Sequence, residues 1–486
     1  METGYQTLFR YVFGSYKNVD LKQGFGTRRV EPSPFIKVPG YEDWWRDVTD
    51  RTSMEARFEA FSTPITMHID EDLFSEAVND VYYMFFKHYG APLRVSSIDE
   101  SISKLPNDTA AGLPFKPGVK KGQVWSELRQ LVVRSWREVK SSHRLSVLPC
   151  KAGARRQLRE RGKNKPRLIF AYPGYLNIIE TQFTLPFTEK PPPFLGWSLN
   201  WLDNGCSVSR LKRMACKGGS VANLDFSSFD SSVSSHLIRS AFDIVRSMLL
   251  MNETESEMLK QLEDYFIHTP LLMYNTVRVK HRGIPSGSGF TQLIGSIVNA
   301  ISCVYVSKLS SEFRIMQDHC VWLGDDSFLV FDQGLSKDDF IESFLSKFSN
   351  LGLNVNADKT EYTKPSIGCS FVFLSRRMTY GKTGMTPDLK KLAGQITWPE
   401  FKDKTPADTI QRLIGLAWAF GFNEQAYRLL LNSYVHVVKE NRIRRVQPDL
   451  RFYRRFQLMD FGDINLSKFP NFNEICNRYY GKDFIS

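Results

Sequence analysis

Between Val321 and Phe331 the chain reads VWLGDDSFLVF, two apolar runs around a four-residue polar centre, Gly324 to Ser327. This pattern predicts a β-hairpin with carboxylates at its tip, because the apolar runs bury while Gly and Asp take the turn. A second acidic element precedes it. In VANLDFSSFDSS a strand expected over Val221–Phe226 carries Asp225 near its end, and Asp230 follows where the pattern changes to helical. If strand and hairpin share a sheet, Asp225, Asp230, Asp325 and Asp326 converge without any long loop. Converged carboxylates repel unless a cation sits among them. Two Mg²⁺ about 3.5–4 Å apart, with Mn²⁺ as a substitute, are the usual cations, and phosphoryl transfer is the usual purpose. Asp225 and Asp325 are the primary candidate ligands. Strand alternation gives Asp326 a supporting place.

GDD alone is an ordinary turn composition; the order of its neighbours sets it apart. Between the acidic elements lies GIPSGSGFTQLIGSIVN (283–299), a Gly/Ser turn running into a helix. After the hairpin comes LGLNVNADKTEYT (351–363), a turn that offers Lys359. Upstream, RGKNKPRLIF alternates Lys163, Lys165 and Arg167, so an extended chain points all three to one side. Solvent exposure would satisfy Lys163 or Lys165 equally well. The segment 442–455 holds six Arg with Phe452 and Tyr453 between them, a mixture that suits phosphate and base contact or a polar helix face.

Composition bounds the rest. Lys and Arg number 64 against 52 acidic residues, and the resulting +12 favours a polyanionic partner, nucleic acid before membrane. Apolar types at 42%, with 36 Phe, provide for a sizeable core in 486 residues. Seven scattered cysteines form no CxxC pair, which argues for reduced thiols and against zinc. A signal peptide and a membrane span are not expected, since no apolar run reaches about 18 residues.

Along the chain, residues 1–50 read as an irregular arm packed on a larger body, and 51–89 as helices. The segment 101–121 reads as a Pro/Gly loop, 123–141 as a helix, and the basic half of 151–162 as helix-like ahead of a short strand at Leu168–Ala171. A helix over 254–266, a strand pair over 271–281 and a long helix to about 310 follow. Beyond 386 the pattern is helical.

Taken in order, LDFSSFD, GIPSGSGFTQLIGSIVN, GDD and the lysine turn resemble the motifs of viral RNA-dependent RNA polymerases, most closely those of partitiviruses and picobirnaviruses. The resemblance extends over residues 105–377. It implies an α+β fold in the form of a closed right hand, with fingers, thumb, and a palm built as an antiparallel sheet flanked by helices. On that plan 1–50 is an arm bridging the body, 51–210 the fingers, 211–240 and 271–384 the palm, 241–270 a fingers excursion, and 385–486 a helical thumb.

The resemblance also implies roles. Asp225, Asp325 and Asp326 would hold metal, and Lys359 would assist the departing pyrophosphate. Lys163, Lys165 and Arg167 would cradle the NTP triphosphate, with Asp230, Ser286, Gly287, Thr291 and Asn299 shaping the nucleotide pocket. Many relatives carry a polar residue four positions after the Thr, where this chain has Gly295; the ribose contact then falls to Asp230 with Ser286 or Thr291. NDTAAGLPF resembles a template-contacting loop through Thr109, Gly112 and Pro114, which a plain Pro/Gly loop also explains. In FVFLSRR either Arg376 or Arg377 could meet the primer phosphate, and both could instead be ordinary packing partners.

The implied activity is RNA-templated RNA synthesis from NTPs for a double-stranded RNA virus. Its partners would be template and product RNA and a viral capsid protein, and its place the host cytoplasm, within the virion. Two alternatives compete: a reverse transcriptase, which shares the palm, and a basic RNA-binding or packaging protein without catalysis.

Overall fold

Alternation around Gly324 and Asp325 closes into the expected hairpin. In the computed structural model, Val321–Leu323 and Asp326–Phe331 pair antiparallel with Leu323 opposite Asp326. The structure describes residues 29–480 except 40–43, 161, 163, 200–203, 275, 311, 383, 401, 444–446, 448–464 and 466. Gly324 lies at φ +60, the conformation that the first residue of this two-residue turn needs and that a side chain resists. The longer hairpin strand pairs with Ser220–Asn223, Leu329 opposite Ala222. The far edge of that strand takes Glu361–Thr363, with Asn223 opposite Glu361. The result is an antiparallel sheet of four strands. Buried along most of its length, the helix Thr291–Lys308 packs against the hairpin and against the helices Glu71–Tyr89 and Ser235–Ser247.

A second sheet runs in the order Arg167–Ala171, Cys150–Arg155, Pro270–Met273, Thr276–Val279, with the middle pair parallel. Two expectations change here. The basic half of 151–162 is not helix-like: it forms the strands Cys150–Arg155 and Leu158–Glu160. Its Lys, Arg, Gln and Leu favour a helix locally, but the pairing of Gly153 with Ile169 and of Arg159 with Trp45 overrides that weak preference. The expected strand pair near 271–281 forms, and its hydrogen bonds go to Cys150–Arg155 rather than to the acidic sheet.

The chain then makes the antiparallel strands Ser370–Phe373, Arg376–Thr379 and Met385–Pro387. The helices Leu389–Thr397, Pro406–Phe420, Glu424–Glu440 and Phe472–Tyr480 complete the C-terminal region. Thr405 caps Pro406–Phe420 through Asp408 N, and Pro406 opens the helix where its missing N–H costs nothing.

The described part of the arm touches both ends of the chain's course. Trp44–Arg46 pairs with Leu158–Glu160, while Ser33 donates to Thr397 O through its backbone (2.8 Å) and to Asp403 Oδ2 through its hydroxyl (2.8 Å). Asp403 is itself locked to Arg412 at 2.6 Å, a buried ion pair whose remaining acceptor capacity is taken by Ser33 and Thr409. Among the described residues, no helix is long and apolar enough to cross a membrane.

Candidate active site

Asp225 follows the strand Ser220–Asn223 and is pinned through its backbone. Its N–H donates to Thr360 Oγ1 (3.2 Å), and its carbonyl accepts from Asn356 N (2.8 Å). Three residues on, Ser228 adopts φ +63 and turns the chain into the single helical turn Phe229–Ser232 that carries Asp230. The Asp230 carbonyl accepts from Ile284 N at 2.6 Å, which ties this element to the Gly/Ser turn. Because Ser220–Asn223 and the hairpin are hydrogen-bonded neighbours, Asp225 and Asp325 lie at one end of one sheet.

The charges act on each other. Asp325 keeps solvent-accessible surface at the turn, yet protein crowds it enough to raise its pKa, and the Asp230 and Asp225 carboxylates raise it further against Arg167. Burial pushes Asp326 up to about 7, aided by Asp325 and opposed by Lys391. Cations stand around the group. Lys359 Nζ is 3.8 Å from Asp225 Oδ2, Arg167 pairs with Asp230, and Lys165 Nζ donates to Ser228 Oγ at 2.5 Å. Burial lowers the Lys165 pKa, with Arg57, Arg159 and Lys359 adding to the effect. Among the described residues, no three His, Cys, Asp or Glu side chains are arranged to hold a metal ion. The donor set still fits a hard divalent cation, because its ligands are all carboxylate oxygens and the electrostatic strain on Asp325 and Asp326 is what such a cation relieves.

The Gly/Ser turn is fixed against the strand Arg167–Ala171. Ser286 Oγ donates to Leu168 O (3.2 Å), and Phe170 N donates to Ser286 O (3.1 Å). Gly287 sits at φ +114 so close to the strand that a β-carbon would lie 2.2 Å from Phe170 O. The Thr291 hydroxyl is turned back to Pro285 O (2.7 Å) and Ser288 O (2.9 Å). Asn299, expected among nucleotide contacts, is fully buried. Its amide donates to Gly324 O (3.0 Å) and its carbonyl accepts from Cys303, so it braces the hairpin from behind.

The other expected residues meet partners of their own. Gly112 packs on Tyr172, Pro114 is buried and Thr109 is exposed. Arg376 lies 5.9 Å from the Phe422 ring centre and beside Tyr479 and Tyr480, while Arg377 pairs with Glu361 at 2.7 Å. These are the contacts of the packing alternative. Lys163 lies outside the described residues, as does most of the arginine-rich stretch 442–455.

Residues 33–439 match the family model described as viral RNA-dependent RNA polymerase. The chain belongs to that family. The RNA-directed RNA polymerase of Cryptosporidium parvum virus 1 (strain KSU-1) is 40% identical over 496 aligned positions, covering 95% of this chain and 94% of that protein. Part of the genome polyprotein of human hepatitis A virus genotype IA (isolate GBM) is 34% identical over 196 residues, 38% of this chain and 9% of the polyprotein. The crystal structure of the RNA-dependent RNA polymerase of a human picobirnavirus superposes with a TM-score of 0.59 at 17% identity, covering 90% of this chain and 79% of that one. This polymerase therefore has the α+β right-hand fold and is an enzyme that makes RNA on an RNA template from NTPs, related to those of double-stranded RNA viruses. Divalent metal use is what its family leads one to expect.

Several residues of the polymerase escaped the sequence reading. Ser296 accepts from Gly324 N (2.8 Å), and with Gln292, Gly295 and Asn299 it forms one helical face toward the turn. That spacing of i, i+3, i+4, i+7 was the available signal. Asp47, fully buried in the arm, accepts from Lys165 N (2.9 Å), Gln157 N (3.1 Å) and Arg159 Nε (3.3 Å) and so fixes the basic loop. Nothing in the sequence around Asp47 marks it.

Proposed function

We propose that Asp225, Asp325 and Asp326 form the acidic centre on which this polymerase joins nucleotides, holding two Mg²⁺ or, in substitution, Mn²⁺. The supporting observation is that Asp225 and the acidic hairpin turn lie at the same end of one sheet, with Lys165, Arg167 and Lys359 around them. When bound, the ions lower the pKa of the attacking 3′-hydroxyl and steady the leaving oxygen. Arg167 and Lys165 orient the triphosphate; Asp230, now paired with Arg167, is then free to meet the ribose. Lys359 is well suited to give a proton to pyrophosphate, since an exposed pair at 3.8 Å holds it only weakly. Base pairing with the template selects the nucleotide.

On this reading the hand divides as the motifs imply: arm 1–50, fingers 51–210 with the 241–270 excursion, palm 211–240 and 271–384, thumb 385–486. The one departure we propose from that plan is the strand pair 270–279, which counts with the fingers instead of the palm because its hydrogen bonds go to Cys150–Arg155. Kinship with double-stranded RNA virus polymerases supports replication and transcription of such a genome inside a virion in the host cytoplasm, beside a capsid protein.

Purified full-length protein given poly(C) with GTP, and in parallel poly(A) with dTTP, tests the reading. The expected result is Mg²⁺-dependent GMP incorporation that Asp225→Ala abolishes. Incorporation that survives in Asp225→Ala would contradict it.

A further inference from the structure

Two loops to which the family resemblance gives different tasks are fastened to the same short piece of chain. Gly112, in the 107–115 loop, lies at φ +68, and a β-carbon there would be 2.2 Å from Tyr172 O. Gly287, in the nucleotide loop, meets Phe170 O at the same separation. Gly174 N donates to Ala111 O at 2.7 Å, so the helix Gly174–Glu189 starts at this junction.

Three buried polar side chains then join the loops. Asn177 and Glu180, three residues apart, share one face of that helix. Asn177 Nδ2 donates to Gly287 O (2.8 Å), and Glu180 Oε2 accepts from Gly289 N (2.6 Å). In the other direction, Asn177 Oδ1 accepts from Lys121 Nζ (3.0 Å), while Lys121 N donates to Thr109 O (2.9 Å). Relative exposures are 5% for Lys121, 7% for Asn177 and 0% for Glu180.

This arrangement is costly to the fold. Burial pulls Lys121 down to about 8 and pushes Glu180 up to about 8, each opposed by the other's charge. Glu180 Oε1 has no hydrogen bond among the described residues. An apolar side chain of similar size would serve packing alone at less cost.

We propose that Lys121, Asn177 and Glu180 are positioning residues that couple the template-side loop 107–123 to the nucleotide loop 284–291, so that the placement of one sets the other. The inference rests on Ser286 and Thr291 serving the nucleotide site and on the 107–115 loop meeting the template, as the resemblance implies.

Single-nucleotide GMP addition on poly(C), measured with thermal unfolding for Glu180→Leu, Glu180→Gln, Lys121→Met and Ser286→Ala, tests it. Glu180→Leu is expected to raise the GTP KM roughly tenfold, with a smaller change in kcat and a lowered unfolding midpoint, because the buried Gly289 N–H loses its acceptor. Glu180→Gln keeps an acceptor for the Gly289 N–H and recovers most of the loss. Lys121→Met, at the far end of the chain of bonds, also raises the GTP KM, and it decides alone if Glu180→Leu does not fold. Wild-type kinetics in Glu180→Leu and Lys121→Met beside an impaired Ser286→Ala overturn the coupling and leave the nucleotide reading standing. Activity lost only in step with folded protein, at unchanged KM, overturns it too. A wild-type KM in Ser286→Ala removes the reading on which the inference rests.

Discussion

Two hairpins, each with a two-residue turn, treat their charges in opposite ways. The acidic hairpin turns at Gly324-Asp325 and is braced from behind by Ser296 and Asn299, whose polar atoms go to the turn's backbone. Burial, and after it the repulsion of neighbouring carboxylates, raises Asp325 and Asp326. The basic hairpin turns at Leu374-Ser375, and its arginines are already engaged, Arg377 with Glu361 and Arg376 among Phe422, Tyr479 and Tyr480. The fold holds the acidic turn's backbone still and leaves its carboxylates only partly offset, by Arg167 and Lys391, whereas the basic side chains are themselves part of the structure.

The larger way to break this contrast is to remove the brace. Asn299→Ala takes away the donor to Gly324 O and is expected to lower kcat on poly(C) roughly 100-fold at little-changed GTP KM, with a stability loss of about 1–3 kcal/mol by denaturant unfolding. A raised KM at unchanged kcat would return Asn299 to the nucleotide-contact role that its sequence position implies. A smaller effect sharpens the contrast through the turns. Leu374 and Ser375 hold φ +51 and +60 without being glycine, so Ser375→Gly is expected to stabilise by about 0.5–1 kcal/mol and leave incorporation unchanged. The converse change, Gly324→Ala, sets a β-carbon 2.8 Å from Gln292 Oε1 at positive φ and destabilises.

The acidic site was legible because its parts announce themselves locally. Strand alternation around Gly324, the change of period after Asp225 and the helix that follows the Gly/Ser turn all lie within short windows. What was not legible depends on remote partners. The strands Cys150–Arg155 and Leu158–Glu160 look helical until Ile169 and Trp45 are beside them, and Asp47 gains a purpose only when the basic loop folds over it. Asn299 stands out in the sequence, but its partner does not, because a polar residue on a helix after such a turn can face either nucleotide or hairpin, and here it meets Gly324 O. Arg376 and Arg377 likewise have the right type and spacing for phosphate, and only the fold shows what they meet, Arg376 the aromatic rings of the C-terminal helical region and Arg377 Glu361 on a neighbouring strand.

The proposal that the partly offset carboxylates at one end of this sheet carry the reaction is put to single-turnover GMP addition on poly(C) with Asp325→Asn and Arg377→Ala side by side, each with its unfolding midpoint. The account predicts that Asp325→Asn loses at least roughly 1000-fold in rate while unfolding at or above the wild-type midpoint, since one repulsive charge is gone. Arg377→Ala, which breaks an exposed ion pair, should stay within about threefold of wild type. An active Asp325→Asn, or a loss in Arg377→Ala as deep as in Asp325→Asn, would contradict it.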